Sequence, residues 1–285
     1  MKAVLPPALM LPLAMMLALM LMLVGCSDTP LGLPAQDRPA PNNPTIVSLN
    51  PCADAILAEI AAPGQLLAIS HYSHDPAASS LPADQAVQYG VTGGTAEEIL
   101  ALAPDMVVAD PFISPATRRA LEQAGIVVES VGMAGSLEDS LAQIAALGAA
   151  TGNAVRAQAL SREIATSWDA HRWQGEPVAA LLWQQGGLVP GGASLAHAML
   201  EQTGFASHSA ARGMGQGAYL PLERVLADPP QVVIATGDER AADHPAMREI
   251  SGMVRYDLDP ALLYCGGPTI PRAMERLASI RSATR

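Results

Sequence analysis

Two stretches of this chain carry the same pattern. Residues 97–110 read EEILALAPDMVVAD and residues 223–236 read ERVLADPPQVVIAT. They align without a gap. Six of the fourteen positions are identical: Glu97/Glu223, Leu100/Leu226, Ala101/Ala227, Pro104/Pro230, Val107/Val233 and Ala109/Ala235. Three more exchange one aliphatic residue for another. Each copy reads as a short helix, then a proline that cannot continue it, then a run of apolar residues long enough for a buried strand. A helix-then-strand unit occurring once in each half points to two similar α/β lobes.

The rest of the chain fits that plan. Thr45 to Leu49 starts as a β-branched strand, and Asn50-Pro51 turns it into a helix from about Ala53 to Ile60. Further strands are expected at residues 66–70, 106–109 and 126–131. Apolar runs alternating with helices imply parallel sheets. Residues 136–173 have a helical pattern broken near 148–153. The part from Ala154 to Trp173 holds no Gly or Pro, so it can join the lobes as one long helix. The second lobe opens with Val178 to Trp183, and a last helix spans roughly residues 271–280. The expected body is thus an N-terminal α/β lobe (45–153), an interlobe helix (154–176) and a C-terminal α/β lobe (177–285). Ligands of open α/β sheets sit beyond the carboxyl ends of the strands. That directs attention to residues 50–54, 71–76, 110–115, 184–194, 236–240 and 264–268.

Ahead of this body, residues 3–25 carry no charge and Lys2 is the only positive charge before them. A basic start, an apolar run and small residues read as a secretory signal. Its length would also suit a membrane span. The sequence Leu23-Val24-Gly25-Cys26 favours a signal: an aliphatic residue, a small or aliphatic one, Gly and Cys form a bacterial lipobox. Residues 1–25 are therefore expected to be removed and Cys26 to carry a lipid. Residues 26–44, rich in Pro and polar groups, read as a flexible tether. The formal net charge of −11 and the lack of any basic run beyond Arg118-Arg119 disfavour nucleic acid as a partner.

IVSLNPCADAIL, LLAISHYSHDP, GGTAEEILALAPDMVVAD and LPLERVLADPPQVVIAT, in that order, resemble the periplasmic binding proteins of ABC importers for vitamin B12, ferric siderophores and haem. The resemblance runs from Thr45 to the last helix. It implies two Rossmann-like lobes with parallel sheets joined by a long rigid helix, and a monomer without enzyme activity. It implies no resident cofactor: the cargo would be a cobalt- or iron-containing chelate, delivered to a permease dimer driven by its ATPase. In that family each lobe offers a surface Glu to permease arginines. The matching positions are Glu97 and Glu223, whose carboxylates would also favour the positive end of their own helices.

For the ligand site, Tyr72 in SHYSHDP matches a Tyr that the vitamin B12-binding protein sets against the corrin, where an aromatic face buries area against a flat macrocycle. Three further aromatic positions of that site do not carry over: Val91, Asp110 and Gly217 stand where it has Trp. Trp183 and Tyr219 are candidates to compensate, although Trp183 ends an apolar strand and equally suits the core. His71 and His74 flank Tyr72 and could serve iron or a metal, or be plain loop residues. Cys52 and Cys265 each fall at a strand's carboxyl end, one per lobe. They are open to three readings: small buried hydrophobes, a disulfide across the lobes, or ligand contacts. Alternatives for the whole are a haem-binding or a zinc/manganese-binding transport protein and, more remotely, a lipid-anchored hydrolase using Ser194 and His197.

Overall fold

The computed structural model describes residues 43–284 except positions 216, 238 and 239. The expected signal peptide, Cys26 and nearly all of the expected tether lie outside the described residues. The N-terminal half runs β1 (Ile46–Ser48), α1 (Pro51–Ile60), β2 (Leu66–Ser70), α2 (Ala83–Ala86), β3 (Gly90–Thr92), α3 (Ala96–Leu102), β4 (Met106–Ala109), α4 (Pro115–Gln123), β5 (Val127–Ser130), α5 (Leu137–Ala150) and α6 (Ala154–Ala170). The C-terminal half runs β6 (Val178–Trp183), β7 (Leu188–Val189), α7 (Leu195–Gln202), β8 (Phe205–Ser207), β9 (Ala218–Tyr219), α8 (Leu222–Ala227), β10 (Val232–Thr236), α9 (Pro245–Arg248), β11 (Val254–Leu258) and α10 (Thr269–Ala283). No described helix is long and apolar enough to cross a membrane.

Two parallel sheets form, as the sequence pattern predicts. The first has the order β3-β2-β1-β4-β5 and the second β11-β10-β6-β8. The repeated unit is α3–β4 in one half and α8–β10 in the other. Each repeated strand is internal: β4 lies between β1 and β5, and β10 between β6 and β11. That explains the unbroken apolar runs, since Val107, Val108, Val233 and Ile234 are all fully buried. The two sheets correspond strand for strand except at one edge. The counterpart of β3 would be β9, which also directly precedes the repeated helix. Instead β9 leaves the sheet and pairs antiparallel with β7, Leu188 opposite Tyr219. Two-residue strands leave no periodicity to read, and the sequence did not suggest this pairing.

The interlobe helix is confirmed as α6, 17 residues long and preceded by a break at Thr151-Gly152-Asn153. It buries Ala157, Leu160 and Ile164 and packs against α1 on one side and α10 on the other. One continuous core therefore passes under both lobes, from Ile46, Ile56 and Ile144 through Ile164 to Ala180, Leu182 and Leu277. The turn from α5 into α6 brings the two helices unusually close. A Cβ at Gly148 would stand 2.3 Å from that of Ala157. Only a residue without a side chain fits there.

Gly148→Ala should accordingly destabilise the protein by about 1–3 kcal/mol. Urea unfolding should show a lower midpoint with an unchanged slope.

Candidate functional site

Between the sheets lies a cavity of about 280 Å³, lined from both lobes at the carboxyl ends of their strands. Cys52 follows β1, Gly132 to Ala134 follow β5, Gln184 follows β6, and Leu263 to Gly266 follow β11. Among the described residues no Asp, Glu, Lys, Arg or His lines it. The polar side chains are Gln143, Gln184, Ser194 and Tyr264. Gln143 donates to the Gly132 carbonyl at 2.9 Å, which fixes the turn that presents Met133.

Cys52 and Cys265 are joined as a disulfide, with Cα atoms 5.2 Å apart. Of the three readings left open by the sequence, the covalent one holds, and both residues line the cavity as well. Asn50 shapes this corner. Its side-chain oxygen accepts from the N–H groups of Cys52 (2.8 Å) and Ala53 (3.2 Å), capping α1. Its amide donates to the Val131 carbonyl at 3.1 Å, at the start of the Met133 turn. Three hydrogen bonds cross between the lobes nearby. Tyr264 donates from its hydroxyl to the Ala77 carbonyl (2.7 Å), Ser80 donates to the Ala261 carbonyl (2.6 Å), and Gly267 N–H donates to the Ser140 hydroxyl (2.7 Å).

Residues 71–81 form the segment that follows β2. It begins with the 3-10 turn His71–His74, and Asp54 of α1 holds it from below. Asp54 Oδ2 accepts from the Ser70 N–H at 3.0 Å and the Ser73 hydroxyl at 2.6 Å, while Oδ1 is buried with no partner among the described residues. Burial pushes the Asp54 carboxyl up to about 7, against the smaller opposite pull of those hydrogen bonds. On the turn above, Tyr72 is 55% exposed and its ring lies 4.1 Å from that of His71. His71 Nδ1 faces the Thr92 carbonyl at 3.3 Å, so that nitrogen carries the proton.

The remaining expected site residues are placed unevenly. Tyr72, His71 and His74 are exposed on the turn after β2 and do not line the cavity. Trp183 must be corrected: it is fully buried in the core beneath the second sheet, donating to the Leu220 carbonyl at 3.2 Å, and is no ligand contact. Its place on β6, between two apolar layers, dictates this. Tyr219 is exposed on β9, opposite the cavity-lining Leu188 of β7. Its ring rests on Gly187, where φ is +80° and a Cβ would come within 2.4 Å of the ring. Tyr219 also opens onto a separate cavity of about 650 Å³ with His208, Arg212 and Arg224. There Arg212 is paired with Asp228, and burial holds the His208 imidazole below its usual range.

Glu97 and Glu223 both stand exposed in the first turns of α3 and α8. Their neighbours differ. Glu98 is turned back onto the Thr92 hydroxyl (2.8 Å) and the Gly93 N–H (2.7 Å), which hold its carboxyl below the usual range. The equivalent position in the second lobe is Arg224. Ser194 and His197 form no catalytic pair: the Ser194 hydroxyl donates to the Gly191 carbonyl and caps α7 through the His197 N–H. No group of three or more His, Cys, Asp or Glu side chains among the described residues could hold a metal ion.

Sequence reasoning missed Phe112 and Met133, 91% and 79% exposed on the turns after β4 and β5. A large apolar residue directly after a buried strand was the available signal. Phe112 lay in a segment already marked by that logic, whereas the end of β5 was not marked at all.

A cleft floored by strand ends from two α/β lobes is the architecture of a two-lobed binding protein. The chain belongs to the periplasmic binding protein family, whose model matches residues 46–249. Several solved structures share the fold. The periplasmic heme-binding protein RhuT from Roseiflexus sp. RS-1 is 21% identical, with 85% of this chain and 98% of that one covered at a TM-score of 0.65. The periplasmic heme-binding protein HutB of Vibrio cholerae is 17% identical (83% and 98% covered, TM-score 0.68). The periplasmic vitamin B12-binding protein BtuF of Vibrio cholerae is 20% identical (84% and 97% covered, TM-score 0.64). No curated protein sequence matches this chain.

Asp54 gives the fold a pH dependence. Its carboxyl titrates near 7 when folded and near 4 when unfolded, so between those values the folded state binds the extra proton. This contribution is fully present below pH 4 and is lost as pH rises through 7, at up to about 1.4 kcal/mol per pH unit. Urea titrations of the wild type and Asp54→Asn across pH 4–8 should show that slope in the difference between the two.

Proposed function

We propose that this chain is the substrate-binding lipoprotein of an ABC importer, tethered on the periplasmic side through Cys26. It captures an uncharged, flat metal chelate of the corrinoid class and presents it to a permease dimer. The observation that carries the ligand class is that, among the described residues, no ionisable side chain but Tyr264 and the bonded cysteines lines the cleft. An anionic ferric chelate entering such a site would lose hydration with no cation to replace it. The protein's net charge of −11 opposes it further.

The cavity, at about 280 Å³, is too small to enclose such a ligand and takes only its edge. The rest lies against exposed apolar side chains at the carboxyl edges of the sheets: Tyr72, Phe112 and Met133 after β2, β4 and β5 on one lobe, and Leu188 and Tyr219 of the β7–β9 pair on the other. Large apolar groups at the end of successive strands suit a broad planar face. Haem is the second reading. His71 and Tyr72, whose ring centroids lie 4.1 Å apart, favour it, and RhuT and HutB bind it, but no described cation lines the cavity to meet its propionates.

Glu97 and Glu223 supply the docking charges. They occupy equivalent places in the internal repeat, as recognition by a two-fold permease requires.

Cyanocobalamin, dicyanocobinamide, haemin and a trianionic ferric tricatecholate should be titrated separately while tryptophan emission is followed. Saturable quenching by the two corrinoids and none by the tricatecholate is expected; silence from all four sinks the ligand class. Replacing Glu97 and Glu223 together by Ala should cut uptake in cells by about tenfold or more while leaving corrinoid affinity unchanged.

A further inference from the structure

The lobes are joined covalently twice. The chain crosses once, through α6. The Cys52–Cys265 bond crosses again, 213 residues apart in sequence, at the carboxyl ends of β1 and β11 where the cavity lies. Two bodies joined at one place can swing about any axis through it. Joined at two places, they keep only the rotation about the line between them. The second join therefore restrains the cleft in the direction that would let it gape.

The disulfide also gathers one segment of the C-terminal lobe onto the N-terminal lobe. Ala261, Tyr264, Cys265 and Gly267 all make contacts across the boundary, to Ser80, Ala77, Cys52 and Ser140 respectively. The three hydrogen bonds exchange readily with water. The sulfur–sulfur bond does not, and it holds the other three in register.

It is also reachable. Cys265 is buried, but Cys52 is half-buried and lines the cavity. A small thiol enters by the route a ligand uses, and a ligand seated there covers the bond. Resting on the reading of the cleft as the ligand site, we propose that Cys52–Cys265 is a redox-releasable tie that holds the cleft in its ligand-binding form and lets ligand go when a dithiol reduces it.

The chemistry balances with a dithiol as reductant. One thiolate attacks Cys52 Sγ, the bond to Cys265 breaks, and Cys265 leaves as a thiolate that takes up a proton. The second thiol of the reductant then displaces Cys52 and closes a cyclic disulfide. The protein gains two electrons and two protons, and the dithiol loses both. Ligand and reduction act on one another reciprocally, because both concern the same ligand-binding form.

The test uses the exported protein with dithiothreitol as reductant and cyanocobalamin as probe. Free thiols are counted by alkylation and mass, and amide exchange is followed in residues 259–267, β4 and β10. Reduction should speed exchange in 259–267 by about tenfold or more and leave β4 and β10 protected. Bound cyanocobalamin should slow reduction, and the reduced protein should release it faster. Cys52→Ser/Cys265→Ser should behave like the reduced protein and ignore dithiothreitol. Unchanged exchange and release on reduction would overturn the proposal. So would loss of protection in β4 and β10 in the double variant, which makes the bond a general staple. If cyanocobalamin never binds, the corrinoid reading falls, and the exchange measurement still decides the tie.

Discussion

The packing of α6 between α1 and α10 sets everything else in this molecule. A long helix linking two lobes could be a flexible strut. Here it is a wall of a single core, with Ala157, Leu160 and Ile164 buried against residues of both lobes. A Leu or Ile side chain such as Leu160 or Ile164 contributes about 1.5–3 kcal/mol when fully buried. Separating the lobes widely would return several of them to water at once. The shared core thus opposes wide separation of the lobes and leaves smaller rotations of one against the other.

Within that frame the internal symmetry is broken in one useful place. The first sheet keeps its edge strand β3, and the second releases the corresponding β9 to pair with β7. The β7–β9 pair sets Leu188 in the cavity lining with Tyr219 opposite it. The glycine beneath Tyr219 admits both the left-handed backbone and the ring lying on it. The two lobes therefore present different surfaces: loops after strands on one side, a small two-stranded sheet on the other.

The frame was legible in the sequence because its determinants are local. β4 and β10 are buried on both faces, so they appear as unbroken apolar runs, and α6 announces itself by a stretch free of Gly and Pro. The site was less legible because it is assembled from ends. Trp183 and Tyr219 look alike as aromatic residues near a strand, yet one closes β6 inside the core and the other sits on a pair of two-residue strands. Nothing local separates them. Cys52 and Cys265 could be assigned to strand ends, but their pairing depends on how two lobes meet. Asp54 gave no signal either, since its burial comes from the loop folded over it.

The position of the two bonded cysteines also orders the molecule in time. A chain is made from its N-terminus, so Cys52 is ready when most of the protein does not yet exist. Its partner lies 213 residues later, after every strand of both sheets. A product that stops before β11 cannot close the bond, and a chain whose second lobe has misfolded cannot bring Cys265 to it. Closure of this one bond thus reports, by chemistry alone, that both sheets have been made and have met.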